Sequence, residues 1–201
     1  MTADTRMRPR KVRNTDSPAD QNAAIIAAAA AEFLEAGVRR ANVDEVARRA
    51  GVSRSTLYRR FPNKEALLLG VAGNFYEEGM ARLEASVAHL GPREAVVEAF
   101  ALGAQMITDD PLLHRMVLTD YEMRSITNTV TALFIDVVTG RVSTTLRKAG
   151  AQMPDDDLLE AVELHVRLVI SFLETPVSDE ARQQPQRVRE LAEKYLAPMI
   201  W

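Results

Sequence analysis

The chain has 201 residues, of which 25 are Lys or Arg, 28 are Asp or Glu, and 47% are hydrophobic. This length suits one large domain, or a small domain joined to a medium one. The absence of cysteine excludes disulfide scaffolds, thiolate zinc sites and cysteine nucleophiles, and it is compatible with a cytoplasmic location. The longest apolar run, residues 23–31, is shorter than the roughly 20 residues of a membrane span, so we expect no membrane partner.

Charge is distributed unevenly along the chain. Residues 1–66 carry 13 basic and 8 acidic side chains, a net charge of +5, whereas residues 67–201 carry 12 and 20, a net charge of −8. A basic first third on an acidic body indicates that the N-terminal end meets a polyanion. Residues 1–16 contain five basic residues and almost no apolar ones, and they are therefore predicted to be a disordered basic arm.

Capping signals and helical periodicity begin at residue 17. Ser17, followed by a proline and by Asp20, starts a first predicted helix over 18–37, which Gly37 ends. Asn42 caps a short second helix that ends at Gly51.

Ser53 caps a short third helix that Pro62 stops, and Asn63 caps a long fourth helix from Lys64 to about His89. Later tracts of helical period cover about 93–108, 112–118, 121–149, 156–174 and 185–199. Because strand alternation and hairpin signals are absent, the predicted class is all-α with about nine helices. We divide it into an N-terminal three-helix domain with a helix-turn-helix, residues 17–66, and a C-terminal helical bundle, residues 67–201.

The second and third predicted helices have the layout of a helix-turn-helix, because a turn containing Gly51 joins two short helices. Their apolar residues can share a core with the first helix; these are Phe33, Val43, Val46, Ala47, Val52, Leu57 and Phe61. Polar side chains remain on the outside of the third helix: Arg54 at its edge, then Ser55, Thr56, Tyr58 and Arg59.

These outward side chains suit the major groove, where arginine pairs with guanine and hydroxyls meet bases or phosphates. Lys64 begins the fourth helix, at an end where the helix dipole also favours a phosphate. Arg48, Arg49 and Arg60 are expected to add a positive field that is blind to sequence. The pattern by itself also fits a small basic three-helix domain with a solvated charged face.

Residues 42–68 resemble the DNA-binding signature of TetR-type transcriptional regulators. Three motifs carry the resemblance: Ala50-Gly51-Val52-Ser53, then Thr56-Leu57-Tyr58, then Phe61-Pro62-Asn63-Lys64-Glu65. The resemblance implies that the third helix enters the major groove of a double-stranded operator. It places DNA contacts at Asn42, Arg54, Ser55, Thr56, Tyr58, Arg59 and Lys64. Tyr58 and Lys64 match positions that hold phosphates, and Asn42 stands where the family commonly has a threonine.

The resemblance also implies an effector-binding domain that dimerises through its last two long helices, and a repressor that binds a palindrome as a homodimer. The sequence of residues 158–173 agrees in part, because this tract is apolar on most sides and needs more than one neighbour to bury it. A partner subunit is one such neighbour. A second apolar stripe runs from Val188 to Met199.

Candidate residues for a small-molecule effector are apolar or polar side chains on the helices after residue 67. They are Phe75, Phe100, Met106, Met116, Met123, Asn128, Phe134 and His165. Methionine adapts to irregular ligands, although each of these residues also suits an ordinary core. The net charge of −8 favours a neutral or cationic lipophilic ligand over an anion.

Enzyme motifs are absent from the sequence, and His89, His114 and His165 are scattered. We therefore predict no catalytic residues, no metal site and no cofactor. Two alternatives stay open at this point. One is a helical module that binds a small molecule or a protein without specific DNA readout, and the other, more distant, is a hydrolase in the C-terminal bundle.

Overall fold

A computed structural model describes residues 17–118, 124–175 and 184–201. The described residues form nine α-helices and no strand, which confirms the predicted all-α class. The helices are α1 (Pro18–Ala36), α2 (Val43–Arg49), α3 (Arg54–Arg60), α4 (Lys64–Val87), α5 (Pro92–Asp109), α6 (Pro111–Leu118), α7 (Arg124–Lys148), α8 (Asp155–Glu174) and α9 (Pro185–Leu191). A π-helical turn, Ala192–Leu196, and a 3₁₀ turn, Ala197–Met199, follow α9.

The chain divides into two compact units, Met1–Val71 and Ala72–Trp201, and the division lies within α4. The predicted basic arm, residues 1–16, lies outside the described residues. The domain boundary expected after residue 66 remains a prediction.

Helix α1 begins and ends at the predicted signals. Ser17 and Asp20 form a reciprocal capping box, in which the Ser17 hydroxyl accepts the Asp20 N–H at 3.2 Å and the Asp20 carboxylate accepts the Ser17 N–H at 3.2 Å. Gly37 follows the helix with a φ of 75°, a conformation that glycine adopts without a steric penalty.

The core of the N-terminal unit contains the predicted apolar residues in two degrees of burial. Phe33, Val46, Ala47 and Leu57 are buried, whereas Val43, Val52 and Phe61 are partly buried. A Cβ at Gly70 would lie 2.7 Å from Phe61 Cε1 and 2.9 Å from Ile26 Cδ1, so any other residue at this position would have to displace these side chains. The close approach packs the start of α4 against α1 and the end of α3.

The core of the C-terminal unit draws on six regions of the chain. Its buried members come from the end of α4, from α5, from α7, from the turn between α7 and α8, from α8, and from the residues after α9: Val87, Ala95, Val96, Phe100, Leu146, Ala151, Met153, Leu158, Ala161, Val162, Ala192, Leu196 and Ile200. The last residues of the chain also make backbone contacts. The carbonyl of Trp201 accepts the N–H groups of Gln152 and Met153 at 2.7 and 2.9 Å, which attaches this segment to the turn between α7 and α8.

Candidate nucleic-acid interface

The turn between α2 and α3 is built by side-chain caps and one glycine. The Asn42 amide oxygen accepts the Asp44 N–H at 2.9 Å, and the Ser53 hydroxyl accepts the Thr56 N–H at 3.1 Å. Gly51 lies between the two helices with a φ of 65°. The caps and the left-handed glycine together fix where α3 begins.

Most of the side chains predicted on the outside of α3 are exposed in the structure, and one is only partly exposed. Leu57 is buried, Thr56 is partly buried, and four side chains are exposed: Arg54, Ser55, Tyr58 and Arg59. Helix α3 therefore presents guanidinium, hydroxyl and phenol groups on one accessible surface. Side chains of these kinds bind base edges and phosphates in protein–DNA complexes.

Helix α3 differs along its length in how firmly its exposed side chains are held. At its N-terminal end, the Ser53 hydroxyl lies 2.9 Å from both the Ser55 and the Thr56 hydroxyls. Arg54 forms an ion pair with Asp44 of α2, with 2.8 Å between Nη2 and Oδ2. Arg59, nearer the C-terminal end, has no hydrogen bond or ion pair with any residue that the structure describes.

Lys64 has a contact that sequence reasoning missed. Lys64 is the first residue of α4. The first turn of this helix is capped by Asn63, whose amide oxygen accepts the Ala66 N–H at 2.7 Å. The Lys64 ammonium donates to the backbone carbonyl of Arg39 at 2.8 Å, in the loop between α1 and α2. This bond uses one of its three N–H donors, so the ammonium keeps donors for a phosphate.

The arginines expected to supply a general positive field are largely engaged within the N-terminal unit. Arg49 Nη1 and Nη2 donate to the Glu35 carboxylate at 2.9 and 2.7 Å, and Arg49 Nε donates to Glu45 at 3.0 Å. Arg60 Nη1 donates to the Pro18 carbonyl at 2.8 Å. These two side chains therefore join α3 and α2 to α1, and their first role is structural.

Two exposed or half-buried acidic partners of these arginines, Glu45 and Glu35, have depressed pKa values. Hydrogen bonds from Arg48 and then Arg49 lower the pKa of Glu45 to about 2. A hydrogen bond from Arg49 also lowers the pKa of Glu35. Both carboxylates consequently stay ionised at neutral pH and offset part of the positive charge of this unit.

The effector candidates that the structure describes occupy three kinds of environment. Phe100 is part of the hydrophobic core, and Phe75 is partly buried on α4. Met106 of α5 lies against α4, because a Cβ at Gly79 would be 3.7 Å from Met106 Cε. The side chains of Met116, Met123, Asn128 and Phe134 lie outside the described residues.

His165 is buried in α8, and burial lowers its pKa to about 4 against the opposing effect of a hydrogen bond with the backbone of Leu196. The imidazole is therefore neutral at pH 7. Its Nε2 has no hydrogen-bond partner among the described residues, and the same holds for the buried Thr139 and Ser143 hydroxyls on α7. Helices α7 and α8 pack against each other.

A small apolar pocket also lies in the C-terminal unit, with a volume of about 10 Å³. Its walls come from α4, α5 and α7: Leu83, Glu84, Val87, Ala95, Ala99, Val142, Thr145 and Leu146. A volume of this size admits about one water molecule, so this pocket does not hold an organic effector.

Two family models match the chain. The model of bacterial regulatory proteins of the tetR family covers residues 25–71, and the model of the C-terminal domain of the bacterial tetracycline repressor covers residues 92–194. The chain belongs to the TetR family of bacterial transcriptional regulators. The TetR-type resemblance of residues 42–68 is therefore confirmed, and α2 and α3 are the helix-turn-helix of a DNA-binding domain.

A curated relative of this TetR-family protein supports the assignment over part of the chain. An uncharacterised HTH-type transcriptional regulator of Mycobacterium tuberculosis (strain H37Rv) is 32% identical over 95 residues, which are 47% of this chain and 49% of the relative. The matched region thus spans about half the length of this curated relative.

Two solved structures share the fold. A TetR-family regulator from Mesorhizobium loti superposes with a TM-score of 0.67 at 15% identity, over 92% of this chain and 97% of the other. The TetR-family repressor AlkX from Dietzia, implicated in biodegradation of n-alkanes, gives a TM-score of 0.62 at 22% identity, over 90% and 96%. Members of the family bind DNA and small-molecule effectors, typically as dimers.

Helix α8 of this TetR-family regulator carries an exposed apolar strip. Leu164 is 51% exposed, Leu168 37% and Phe172 38%, and successive members lie four residues apart, on one face of the helix. A neighbouring face of α8 packs into the core through Leu158 and Val162. The sequence predicted a tract apolar on most sides, and the structure shows which side the subunit itself leaves uncovered.

None of the helices within residues 17–118, 124–175 and 184–201 combines the length and the hydropathy that a membrane span needs. In the same part of the chain, no three His, Asp or Glu side chains are grouped as metal ligands.

Proposed function

We propose that this TetR-family protein is a repressor that binds a palindromic operator as a homodimer and is released by a small lipophilic effector. The observation that carries the proposal is the exposed row on α3, in which Arg54, Ser55, Tyr58 and Arg59 are all accessible. An arginine on such a row can discriminate guanine by two parallel hydrogen bonds. Tyr58 and Lys64 are assigned to phosphates, and Asn42 to a phosphate at the start of α2.

The homodimer is supported by the apolar strip of Leu164, Leu168 and Phe172 on α8. Large apolar side chains at this spacing stay in contact with water unless another surface covers them. A second copy of α8, related by a two-fold axis, places the strip against itself and forms a self-complementary interface. The symmetry of the dimer then sets the symmetry of the operator.

The effector proposal is supported by the buried polar atoms of α7 and α8. Thr139, Ser143 and His165 are at least nine-tenths buried and have hydrogen-bonding atoms without a partner among the described residues. Because the His165 imidazole is neutral, it suits an uncharged polar group on an otherwise apolar ligand. The association of the related repressor AlkX with n-alkane degradation agrees with a lipophilic effector.

Regulation follows as a shift between two populations of the dimer. In the DNA-binding population, the two α3 helices match successive major grooves, roughly 34–36 Å apart. The effector binds more tightly to dimers in which this spacing is lost, and it lowers DNA affinity by about 1–3 kcal/mol, the usual size of allosteric coupling.

Reciprocity of this coupling provides the test. Lipophilic compounds are screened by thermal shift, and each hit is titrated against the free protein and against the protein saturated with a duplex that it has selected from random DNA. The proposal predicts weaker binding to the DNA-bound protein, by the same factor by which the hit weakens DNA binding. Equal affinities for every hit would contradict regulation by an effector.

A further inference from the structure

The contact between Asp44 and Arg54 crosses the helix-turn-helix on its exposed side. Asp44 lies in the first turn of α2, Arg54 is the first residue of α3, and their charged atoms are 2.8 Å apart. The two side chains are 37% and 71% exposed. We propose that Asp44 is a positioning residue that sets the sequence specificity of DNA binding by orienting Arg54. This inference rests on the proposed function, because it assumes that α3 reads DNA.

An exposed arginine at a DNA surface can form one of two kinds of contact. It can bind a phosphate, which carries no sequence information, or it can donate two hydrogen bonds to O6 and N7 of guanine. Asp44 biases this choice in two ways. The negative charge of Asp44 offsets the positive charge of the guanidinium and so reduces its attraction to a phosphate. The contact uses Nη2 only, which leaves other N–H donors of Arg54 available for a base.

The position of Asp44 is itself fixed by the local fold. Its backbone N–H donates to the amide oxygen of Asn42 at 2.9 Å, within the cap of α2. The neighbouring carboxylate, Glu45, is already engaged by Arg48 at 2.8 Å and by Arg49 at 3.0 Å. The backbone of Asp44 is therefore fixed by the cap, and its carboxylate contacts Arg54 while that of Glu45 does not.

Pre-ordering of Arg54 has a consequence for affinity. Immobilising a long side chain at an interface opposes binding by about 0.5–1.5 kcal/mol, which corresponds to about two- to tenfold in affinity. The pair with Asp44 removes part of this freedom before DNA arrives. Arg59, on the same exposed row, has no such partner among the described residues and serves as the natural comparison.

The experiment uses the full chain and its Asp44→Asn variant. Affinities are measured for the duplex that the wild type enriches from random DNA and for a scrambled duplex, over roughly 50 to 200 mM salt, a range in which phosphate contacts dominate the change in affinity. We expect the ratio of specific to scrambled affinity to fall about two- to tenfold per half-site in the variant. On scrambled DNA we expect tighter binding and a salt slope steeper by about 0.9 per half-site, because each released Arg54 gains a phosphate contact.

Three matched variants separate positioning from a general charge effect. Glu65→Gln removes a negative charge from the first turn of α4 and is expected to leave the specificity ratio unchanged. In a chain that already carries Arg54→Ala, Asp44→Asn is expected to cause no further fall in the specificity ratio. In a chain that carries Arg59→Ala, it is expected to cause the same fall as in the wild type. Asp44→Ser replaces Asp44→Asn if thermal unfolding shows that the latter is not folded.

The outcomes distinguish this inference from the function on which it rests. Three results would overturn the role of Asp44 but not the proposed function. They are an unchanged specificity ratio and salt slope in Asp44→Asn, the same change in ratio in Glu65→Gln, and an effect of Asp44→Asn that persists when Arg54 is already alanine. A wild type that enriches no sequence would overturn the proposed function, and this inference with it.

Discussion

The Glu32 carboxylate in α1 accepts the backbone N–H of Asn42, the cap of α2, at 2.9 Å. Its second oxygen lies 3.5 Å from Nη2 of Arg49, the last residue of α2. A single buried side chain of α1 thus contacts both the first and the last turn of the short helix that precedes α3. Because α2 has only seven residues, its orientation depends on such contacts more than on its own hydrogen bonds.

Replacing Glu32 is therefore expected to destabilise the N-terminal unit. Glu32→Ala leaves the Asn42 N–H without its acceptor and removes one carboxylate from the surroundings of Arg49. The expected cost is about 1–3 kcal/mol in the free energy of unfolding. Chemical denaturation measures this cost. Glu35→Ala is the control, because Glu35 also pairs with Arg49 but is exposed, and its effect should be clearly smaller. Equal losses in the two variants would contradict the structural role of Glu32.

Local signals in the sequence predicted the elements of this unit well, and long-range contacts were missed. The caps Ser17, Asn42 and Ser53 act over two or three residues, so they can be recognised from spacing alone. The Glu32 contact joins residues ten positions apart, and the Lys64 contact with Arg39 joins residues 25 apart. Such contacts depend on how helices pack, which periodicity does not specify.

The C-terminal end shows a second limit of sequence reasoning. An apolar stripe predicted one helical tract over 185–199, whereas α9 ends at Leu191 and gives way to π and 3₁₀ turns. Pro198 cannot donate a backbone hydrogen bond, and its ring is incompatible with a continuing α-helix. The stripe still identified the buried face, since Ala192 and Leu196 belong to the core.

Arg59 and Lys64 are expected to affect DNA binding in different ways. Arg59→Ala should cost about 1–3 kcal/mol per half-site and relax sequence preference. Lys64→Ala should weaken binding to all sequences alike and reduce the salt slope by about one per half-site. Titrations of specific and scrambled duplexes at several salt concentrations separate the two effects. Binding like that of the wild type by the Arg54→Ala/Arg59→Ala double variant would rule out α3 as the recognition helix.

The exposed strip on α8 predicts how the dimer can be broken. Leu168→Asp should place a carboxylate without a partner in the interface, at a cost of several kcal/mol, and convert the dimer to a folded monomer. Light scattering at micromolar concentration measures the change in mass, and circular dichroism checks the helix content. Leu69→Asp is the matched control, because Leu69 is an exposed leucine of α4 outside this strip. A Leu168→Asp variant that remains dimeric would place the interface elsewhere.

His165 predicts a pH-dependent stability of the C-terminal unit. Its pKa is about 4 in the folded chain and 6.5 as a free side chain, so between these values the unfolded state binds more protons. Stability should therefore decrease as the pH falls from about 6.5 to about 4, by at most about 3 kcal/mol. Denaturation followed by the fluorescence of Trp201, the only tryptophan, measures this change.

The control for this pH dependence replaces the titrating group. His165→Gln should flatten the dependence between pH 4 and 6.5, whereas substitution of the exposed His89 by Gln should leave it unchanged. The same slope in His165→Gln as in the wild type would show that another group is responsible.

The acidic residues of the N-terminal unit predict a loss of stability at lower pH. Because Arg48 and Arg49 lower the pKa of Glu45 to about 2 from an ordinary value of 4.5, the folded state resists protonation more than the unfolded state does. The contribution of Glu45 is complete above pH 4.5 and is lost as the pH falls towards 2. Hydrogen exchange of residues 17–71 should show this decline, and Glu45→Gln should reduce it.

Selection of DNA from a random pool by the wild-type protein tests the central claim most directly. A dimer that reads DNA through two copies of α3 should enrich a palindrome whose half-sites are centred about one helical turn, 10–10.5 base pairs, or a multiple of it, apart. The Arg54→Ala/Arg59→Ala variant should lose that enrichment. A wild type that enriches no motif, or the double variant enriching the same palindrome, would contradict the account.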